Sequence, residues 1–362
     1  MSGSVSGIDT SNYSVIAQLS ADASAIQAKL DTLTEQSATG LVSETYAGLG
    51  SSASVSLDLN PEISQMNTLQ SNINAVQGNM NVTQTAVSEI SSIASNFAAE
   101  LNTLNSTDTT AVSTVATSAQ QALVEVANLL DTTDGSTYVF GGEDSANPPV
   151  PSADDILSSG FYTAINSAVA GLSTNGAATT EASILATGSS NATGTSPFSA
   201  ALSQSASTLQ ASLPAVQVGA NQFVTTGLLA SANTYVASTG SYTTGSYMRD
   251  VLTGLATIAS LSSSQVNDSG FETLVTDTES MLQGAVTAMN QDAGVLGNQQ
   301  TALTDQATTL SDTATALTTQ VGAAQDVNAA STATALSLVQ TELESSFQVI
   351  ADMQNLSLVS YL

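Results

Sequence analysis

The chain has 362 residues, enough for two or three domains with cores of their own. It contains no cysteine and no histidine, which excludes a Ser/His/Asp triad, a cysteine nucleophile, a disulfide and an ordinary zinc site. Two basic residues stand against 30 acidic ones, so the formal charge is −28 and nucleic-acid binding is electrostatically unfavourable. We therefore expect a protein without a cofactor, a metal or a nucleic-acid partner.

Only 9% of the residues are charged, so Ser, Thr, Asn and Gln must supply most of the polar surface. Below about pH 4 most carboxylates would be neutral, which suggests the hypothesis that the protein faces an acidic medium. The amino terminus lacks the basic and apolar segments of a secretory signal, and no run of residues is apolar enough to span a membrane. We expect neither a cleaved signal nor membrane insertion.

The first predicted helix covers residues 13–37, and Gly40 is expected to end it. Its apolar side chains recur every three or four residues and form one stripe, made of Ile16, Leu19, Ala23, Ile26, Leu30 and Leu33. A connector rich in Gly and Ser follows around residues 41–52.

A second, long helix is predicted to begin at Asn60-Pro61-Glu62, where Asn can cap the free backbone N–H groups and Pro suits the first turn. Its apolar residues form two heptad columns. One column is Met66, Ile73, Met80, Val87, Ala94 and Leu101, and the other is Leu69, Val76, Thr83, Ile90, Phe97 and Leu104.

A third helix is predicted over residues 109–130, with Asp108 as its cap. Asp134-Gly135 is typical of a tight turn, and the β-prone residues 136–140 after it predict a short hairpin arm. Residues 146–247 lack a sustained heptad and indicate an inserted domain. We expect two strands there, near 215–218 and 223–229, and loops over the Ser/Thr/Gly-rich residues 173–197.

A helix over residues 248–261 leads back to a C-terminal coil with a heptad column at Met289, Leu296, Leu303, Leu310 and Leu317. Gly294 and Gly297 interrupt this helix, which points to close helix packing, a kink or an assembly contact. The phase slips across residues 325–330. A second apolar stripe follows, made of Leu336, Val339, Leu343, Phe347, Ile350, Leu356, Leu358 and Leu362.

These patterns predict a mainly α fold. Helices from both ends of the chain form a long antiparallel coiled coil or bundle, with a short β-hairpin arm and a small inserted mixed or β domain. The predicted divisions are residues 1–55 (N-terminal helix), 56–145 (long coil and hairpin), 146–247 (insert), 248–324 (C-terminal coil) and 325–362 (terminal helix).

Acidic pairs provide an alternative, enzymatic interpretation. Glu143-Asp144 and Asp154-Asp155 could act as a general acid and base or bind a cation, but both pairs lie in Pro-rich connector and a solvated loop is favoured. Residues 131–135 faintly resemble a calcium loop but lack its alternating ligands, so turn chemistry is favoured there.

Four segments together resemble the bacterial flagellin family: residues 34–40 at the end of the first helix, 134–142 in the hairpin, 296–303 in the C-terminal coil and 326–362 at the terminus. Within that family, the Tyr46-Ala-Gly-Leu-Gly connector and the Leu356-Ser-Leu ending are most similar to the hook-filament junction protein (hook-associated protein 3). Filament flagellin is the near alternative.

The resemblance implies a structural, non-enzymatic subunit, exported by the flagellar type III apparatus and assembled outside the cell. The implied partners are the protein itself, hook-associated protein, flagellin and a cytoplasmic export chaperone. A cytoplasmic coiled-coil adaptor remains an alternative, because it would show the same heptads.

The resemblance also assigns expected roles to the apolar stripes. We expect packing between subunits at Ile16, Leu19, Ile26, Leu30, Leu33, Leu336, Val339, Leu343, Phe347, Ile350, Leu356, Leu358 and Leu362. We expect packing within the subunit at Met66, Ile73, Met80, Val87, Leu296, Leu303, Leu310 and Leu317.

Overall fold

The computed structural model describes residues 10–104, 109–225 and 227–359. Its α-helices are α1 (Thr10–Thr39), α2 (Tyr46–Leu49), α3 (Ala53–Thr103), α4 (Thr109–Leu130), α5 (Gly160–Ala170), α6 (Leu172–Gly188), α7 (Ala206–Ala211), α8 (Tyr247–Ala259), α9 (Phe271–Gln325) and α10 (Ala329–Val359). The strands are β1 (Thr133–Asp134), β2 (Thr137–Tyr138), β3 (Ala215–Gln217) and β4 (Phe223–Thr225). The prediction of a mainly α fold is confirmed.

The chain divides into two compact units. The terminal unit consists of Met1–Asn67 and Ser311–Leu362, and the central unit consists of Thr68–Leu310. Helices α3 and α9 each contribute residues to both units.

In the terminal unit, the end of α1 is joined to the start of α10. The Val327 N–H donates to the Gly40 carbonyl at 2.9 Å, and the Val42 N–H donates to the Gln325 carbonyl at 2.7 Å. Gly40 has a φ of 76°, a left-handed conformation that favours glycine, and its N–H caps the Gln36 carbonyl. The predicted end of α1 at Gly40 is confirmed, and α1 and α10 pack as an antiparallel pair.

Helix α3 begins earlier than the sequence predicted. It starts at Ala53, so the predicted start at residues 60–62 is wrong and Pro61 lies inside the helix. Proline removes the one backbone bond that would reach the carbonyl of Leu57, and this part of the helix is exposed, so water can replace that bond. The predicted Asp108 cap of α4 lies outside the described residues.

In the central unit, α3 and α9 run antiparallel and bury the predicted seam. From Leu69 to Leu101 both heptad columns of α3 are buried, and the one polar member, Thr83, satisfies its hydroxyl by donating to the Asn79 carbonyl at 2.8 Å. Gln300, which interrupts the α9 column, donates to Asn81 Oδ1 of α3 at 2.9 Å. A polar residue in the seam is tolerated here because it has a partner on the facing helix.

The insert is more helical than expected. The predicted antiparallel strand pair of the insert forms between β3 and β4. The predicted hairpin before the insert also forms, between β1 and β2 around Gly135. The prediction of loops is wrong for residues 173–188, which α6 occupies with a kink at Gly176 (φ 74°), and it is confirmed for residues 189–197, which contain no helix or strand. Two of its hydroxyl side chains bond back to the helix, because Ser183 donates to the Thr179 carbonyl and Thr187 donates to the Ser183 carbonyl, so polar composition did not prevent a helix.

The connector before α3 is also partly helical. The short helix α2 is capped by Thr45, whose side chain accepts from the Gly48 N–H. The sequence predicts only a connector rich in Gly and Ser there.

Candidate assembly surface

The terminal unit contains a helix pair that buries one narrow stripe. On α1, Ala23 is buried and Leu19, Ile26, Leu30 and Leu33 are half-buried. On α10, Val339 is buried and Leu336, Leu343 and Ile350 are half-buried. The structure therefore brings these predicted stripe residues together within one chain, along the contact of α1 with α10.

Among the stripe residues whose side chains the structure describes, Phe347 does not join this contact. The buried and half-buried positions of α10 run from Val339 through Leu343 to Ser346 and Ile350, so the step after Leu343 is three residues and not four. Phe347 consequently points away from α1 and is 52% exposed. Sequence spacing alone could not decide between Ser346 and Phe347, because both steps fit a helical stripe.

Exposed large apolar side chains are concentrated in the terminal unit. On α10, Leu338 is 60% exposed and Val349 is 48% exposed, in addition to Phe347. We call these three residues the outer apolar set; Leu338 and Val349 lie on one flank of α10 and Phe347 on the other, because residues eleven apart differ by about 20° around a helix and residues nine apart by about 180°. Of the nine large apolar side chains that stand out as exposed in the described part of the chain, eight lie in the terminal unit: Val15, Val42, Tyr46, Val55, Leu57, Leu338, Phe347 and Val349.

The interior of the terminal unit is correspondingly thin. Among its described residues, the buried apolar side chains are Ala23, Leu49, Ala314, Val321 and Val339. By contrast, every residue of α8 in the central unit is buried. An amphipathic helix gains most of its stability from packing its apolar face, and two helices alone can cover only one face of each other.

The remaining predicted stripe positions lie outside the described part. This applies to the side chains of Ile16, Leu356 and Leu358 and to the whole of Leu362. The residues predicted to pack within the subunit are placed on the seam side of α3 and α9. Ile73, Met80, Val87, Leu296, Leu303 and Leu310 are buried, and Met66 and Leu317 are half-buried.

One member of each acidic pair in the connector accepts a hydrogen bond from a nearby side chain. Asp144 accepts from the Asn147 amide at 2.7 Å, and Asp154 accepts from the Asn128 amide at 2.9 Å. Asp131 accepts from the Val150 N–H at 2.8 Å and so holds the connector against the end of α4. Within the described ranges, no group of three or more His, Cys, Asp or Glu side chains is placed to hold a metal ion.

Two polar features of the central unit were missed by sequence reasoning. Arg249 is buried and donates to backbone carbonyls of three residues, and Glu181 of α6 meets Asp277 of α9. A signal for the first was available, because an isolated base in a chain of net charge −28 is a candidate for a specific structural role. No local sequence pattern indicated that Glu181 lies near Asp277, since the two acids belong to different helices.

Comparison with known proteins gives one family match. Residues 10–143, which include α1 to α4 and the β1–β2 hairpin, match the family model described as the bacterial flagellin N-terminal helical region. No curated protein matches the chain. Across the part of the chain that the structure describes, no helix has the length and hydropathy needed to cross a membrane.

Proposed function

We propose, from the premise that residues 10–143 are similar to the N-terminal helical region of bacterial flagellins, that the chain is a structural subunit of the bacterial flagellum. It would be exported without a cleaved signal peptide and assembled outside the cell. The observation that carries the proposal is the terminal unit, where a thin interior is combined with an exposed apolar side. A concentration of exposed large apolar side chains in one unit, above a thin interior, supports burial of these side chains by a partner.

In this proposal the outer apolar set becomes buried when subunits assemble. Leu338 and Val349 lie on one flank of α10 and Phe347 on the other, so helices from two neighbouring subunits would cover them and turn a two-helix pair into a larger bundle. Burial of a large apolar side chain contributes roughly 1.5–3 kcal/mol. The same helices would be weakly stable before assembly, a state suited to export and to binding an export chaperone.

For the place of assembly we propose the hook-filament junction, with filament flagellin as the alternative. The Tyr46-Ala-Gly-Leu-Gly segment, which includes α2, and the Leu356-Ser-Leu ending support the junction. The partners would then be copies of the chain itself, hook-associated protein and flagellin.

The assembly surface can be tested with Phe347→Asp, and Gln348→Asp serves as the matched control at the neighbouring exposed position. Both variants add one negative charge to α10. We expect Phe347→Asp to leave the monomer's unfolding free energy within about 0.5 kcal/mol of the parent, because surface substitutions rarely cost more. Its assembly in cells should be lost, while Gln348→Asp should still assemble. Normal assembly of Phe347→Asp would contradict the proposed surface.

The place of assembly can be tested separately by the amount of the protein in sheared flagellar filaments. A junction protein forms one short zone, whereas a filament subunit makes up the filament. A trace amount of the protein in the sheared filaments, with immunogold label confined to the filament base, supports the junction. A major band would instead identify the chain as a filament subunit.

A further inference from the structure

The one exposed basic side chain of this acidic protein lies in the terminal unit. The chain has two bases, and Arg249 is buried in the central unit, where it donates to backbone carbonyls. Lys29 of α1 is exposed, and among the side chains that the structure describes it has no ion-pair partner. Its charge is therefore available to a group outside the chain.

Lys29 lies on the same side of the α1–α10 pair as two residues of the outer apolar set. A helix turns by about 100° per residue, which puts Lys29 about 80° from the middle of the buried stripe of α1. Leu338 and Val349 are turned from the buried stripe of α10 by about 120° and 100° in the same sense. Because the two helices are antiparallel, rotation in the same sense leads to the same side of the pair. We call this side, with Lys29, Leu338 and Val349, the Lys29 flank.

The opposite side of the pair has exposed acids beside the third apolar residue. Phe347 is turned from the buried stripe of α10 by about 60° in the other sense, and Glu344 by about 120°. On α1, Asp31 is turned in this other sense by about 120°. Both acids are exposed, as is the ring of Phe347. We call Asp31, Glu344 and Phe347 the Phe347 flank.

The two flanks differ in the charges that they present. The acids Asp22 and Glu342 also lie on the Lys29 flank, so this flank has charges of both signs. The Phe347 flank has no base, because the other base of the chain is Arg249. Copies of a chain with a net charge of −28 repel one another, so a contact between copies gains most where the exposed base faces acids.

A contact between unlike flanks meets this requirement and also covers the whole outer apolar set. Two Lys29 flanks facing each other would cover Leu338 and Val349 but leave Phe347 in water. A contact between unlike surfaces repeats from copy to copy and builds a ring or a filament, whereas a contact between like surfaces stops at a dimer.

We propose that copies of the chain associate through unlike flanks, the Lys29 flank of one copy against the Phe347 flank of the next, and that Lys29 pairs with Glu344 of the neighbouring copy. This contact rests on the proposed function and gives the surfaces through which the subunits assemble. Lys29 and Leu338 each lie eleven residues from the backbone bond that joins the end of α1 to the start of α10, so they are level with each other. Glu344 is about one helical turn from Phe347, so Phe347 against Leu338 brings Glu344 to Lys29.

Charge reversal in the full chain tests the pairing in cells that lack the parent protein. Lys29→Glu and Glu344→Lys each place like charges opposite one another. We expect each variant to lower the amount of assembled protein about tenfold or more, because an ion pair is lost and a repulsion replaces it. The double variant Lys29→Glu/Glu344→Lys restores opposite charges and should recover assembly. The Tm of each purified variant should stay close to that of the parent, since both positions are exposed.

Glu342→Lys is the matched control, because it makes the same change of charge on α10 but on the Lys29 flank. It should assemble like the parent, since its added positive charge faces the acids of the neighbouring copy. Rescue of Lys29→Glu by Glu342→Lys and not by Glu344→Lys would overturn the proposal, because Lys29 would then pair with an acid of its own kind of flank. Failure of both double variants to recover assembly would overturn it too, as would normal assembly of Lys29→Glu.

Comparison with Phe347→Asp separates this contact from the proposed function. Loss of assembly in Phe347→Asp together with normal assembly of Lys29→Glu would leave the terminal unit as the assembly surface and refute the pairing through Lys29. Normal assembly of both variants would contradict the proposed function itself.

Discussion

The guanidinium of Arg249 lies over the ring of Phe198, with its Cζ atom 5.0 Å from the ring centre. Arg249 is buried at the start of α8, and burial lowers the pKa of its side chain to about 10. It remains charged at neutral pH and has no carboxylate in its hydrogen-bond set. Its charge is instead stabilised by carbonyl oxygens and by the ring face of Phe198.

Replacing Arg249 with Met should therefore destabilise the central unit. The change leaves the Ser231, Gly188 and Ser190 carbonyls without this donor, and each buried unsatisfied acceptor costs about 1–3 kcal/mol. We expect a total loss of roughly 3 kcal/mol or more in urea unfolding. Lys29→Met removes the chain's other basic residue, at an exposed position of α1, and should change the unfolding free energy by less than about 0.5 kcal/mol. Equal effects of the two substitutions would show that Arg249 has no special structural role.

The raised pKa of Asp131 predicts that the stability of the folded protein depends on pH. Burial raises its pKa to about 6, and the nearby Asp154 charge acts in the same direction, although the bond from the Val150 N–H works against both. Because the folded-state pKa is raised, stability should fall as the pH rises through 6. Asp131→Asn retains an oxygen that can accept from Val150 and should remove this loss.

The size of the Asp131 effect is limited by its partial exposure. After allowance for solvent screening, we expect Asp131→Asn to be more stable than the parent by about 1 kcal/mol at pH 7.5 and equal to it near pH 4. Urea unfolding at both pH values measures the difference. A variant that is less stable than the parent at pH 7.5 would mean that the carboxylate charge itself is needed at this position.

Substitutions at Gly294 and Gly297 of α9 can distinguish an effect on monomer stability from an effect on assembly. A Cβ atom added at either position meets no atom within 4 Å, so close packing inside the subunit does not require glycine there. Replacing each with Ala should stabilise the monomer by about 1 kcal/mol, because glycine is a poor helix former. If the two glycines form an assembly contact, the double variant should have a higher Tm and yet assemble poorly. Unimpaired assembly would remove the assembly contact as their explanation.

Much of the fold was predictable from the sequence because its signals are local. The long heptad columns of α3 and α9 depend only on spacing along one helix, and the turn at Gly135 and the cap at Gly40 depend on backbone conformations that favour glycine. Local signals failed where composition misled. The Ser/Thr-rich helix α6 resembles a loop in composition. The residues around Pro61 have the composition of a helix start, although α3 begins earlier, at Ala53.

The sequence by itself thus determined the long terminal and central helices, the end of α1 at Gly40 and the faces that form the central seam, since periodicity and capping act over a few residues. Tertiary structure alone decided that Ser346 and not Phe347 faces α1, that Arg249 finds its carbonyl partners, and that Glu181 meets Asp277. These outcomes depend on how helices rotate and dock against one another, which brings together side chains that lie far apart in the chain.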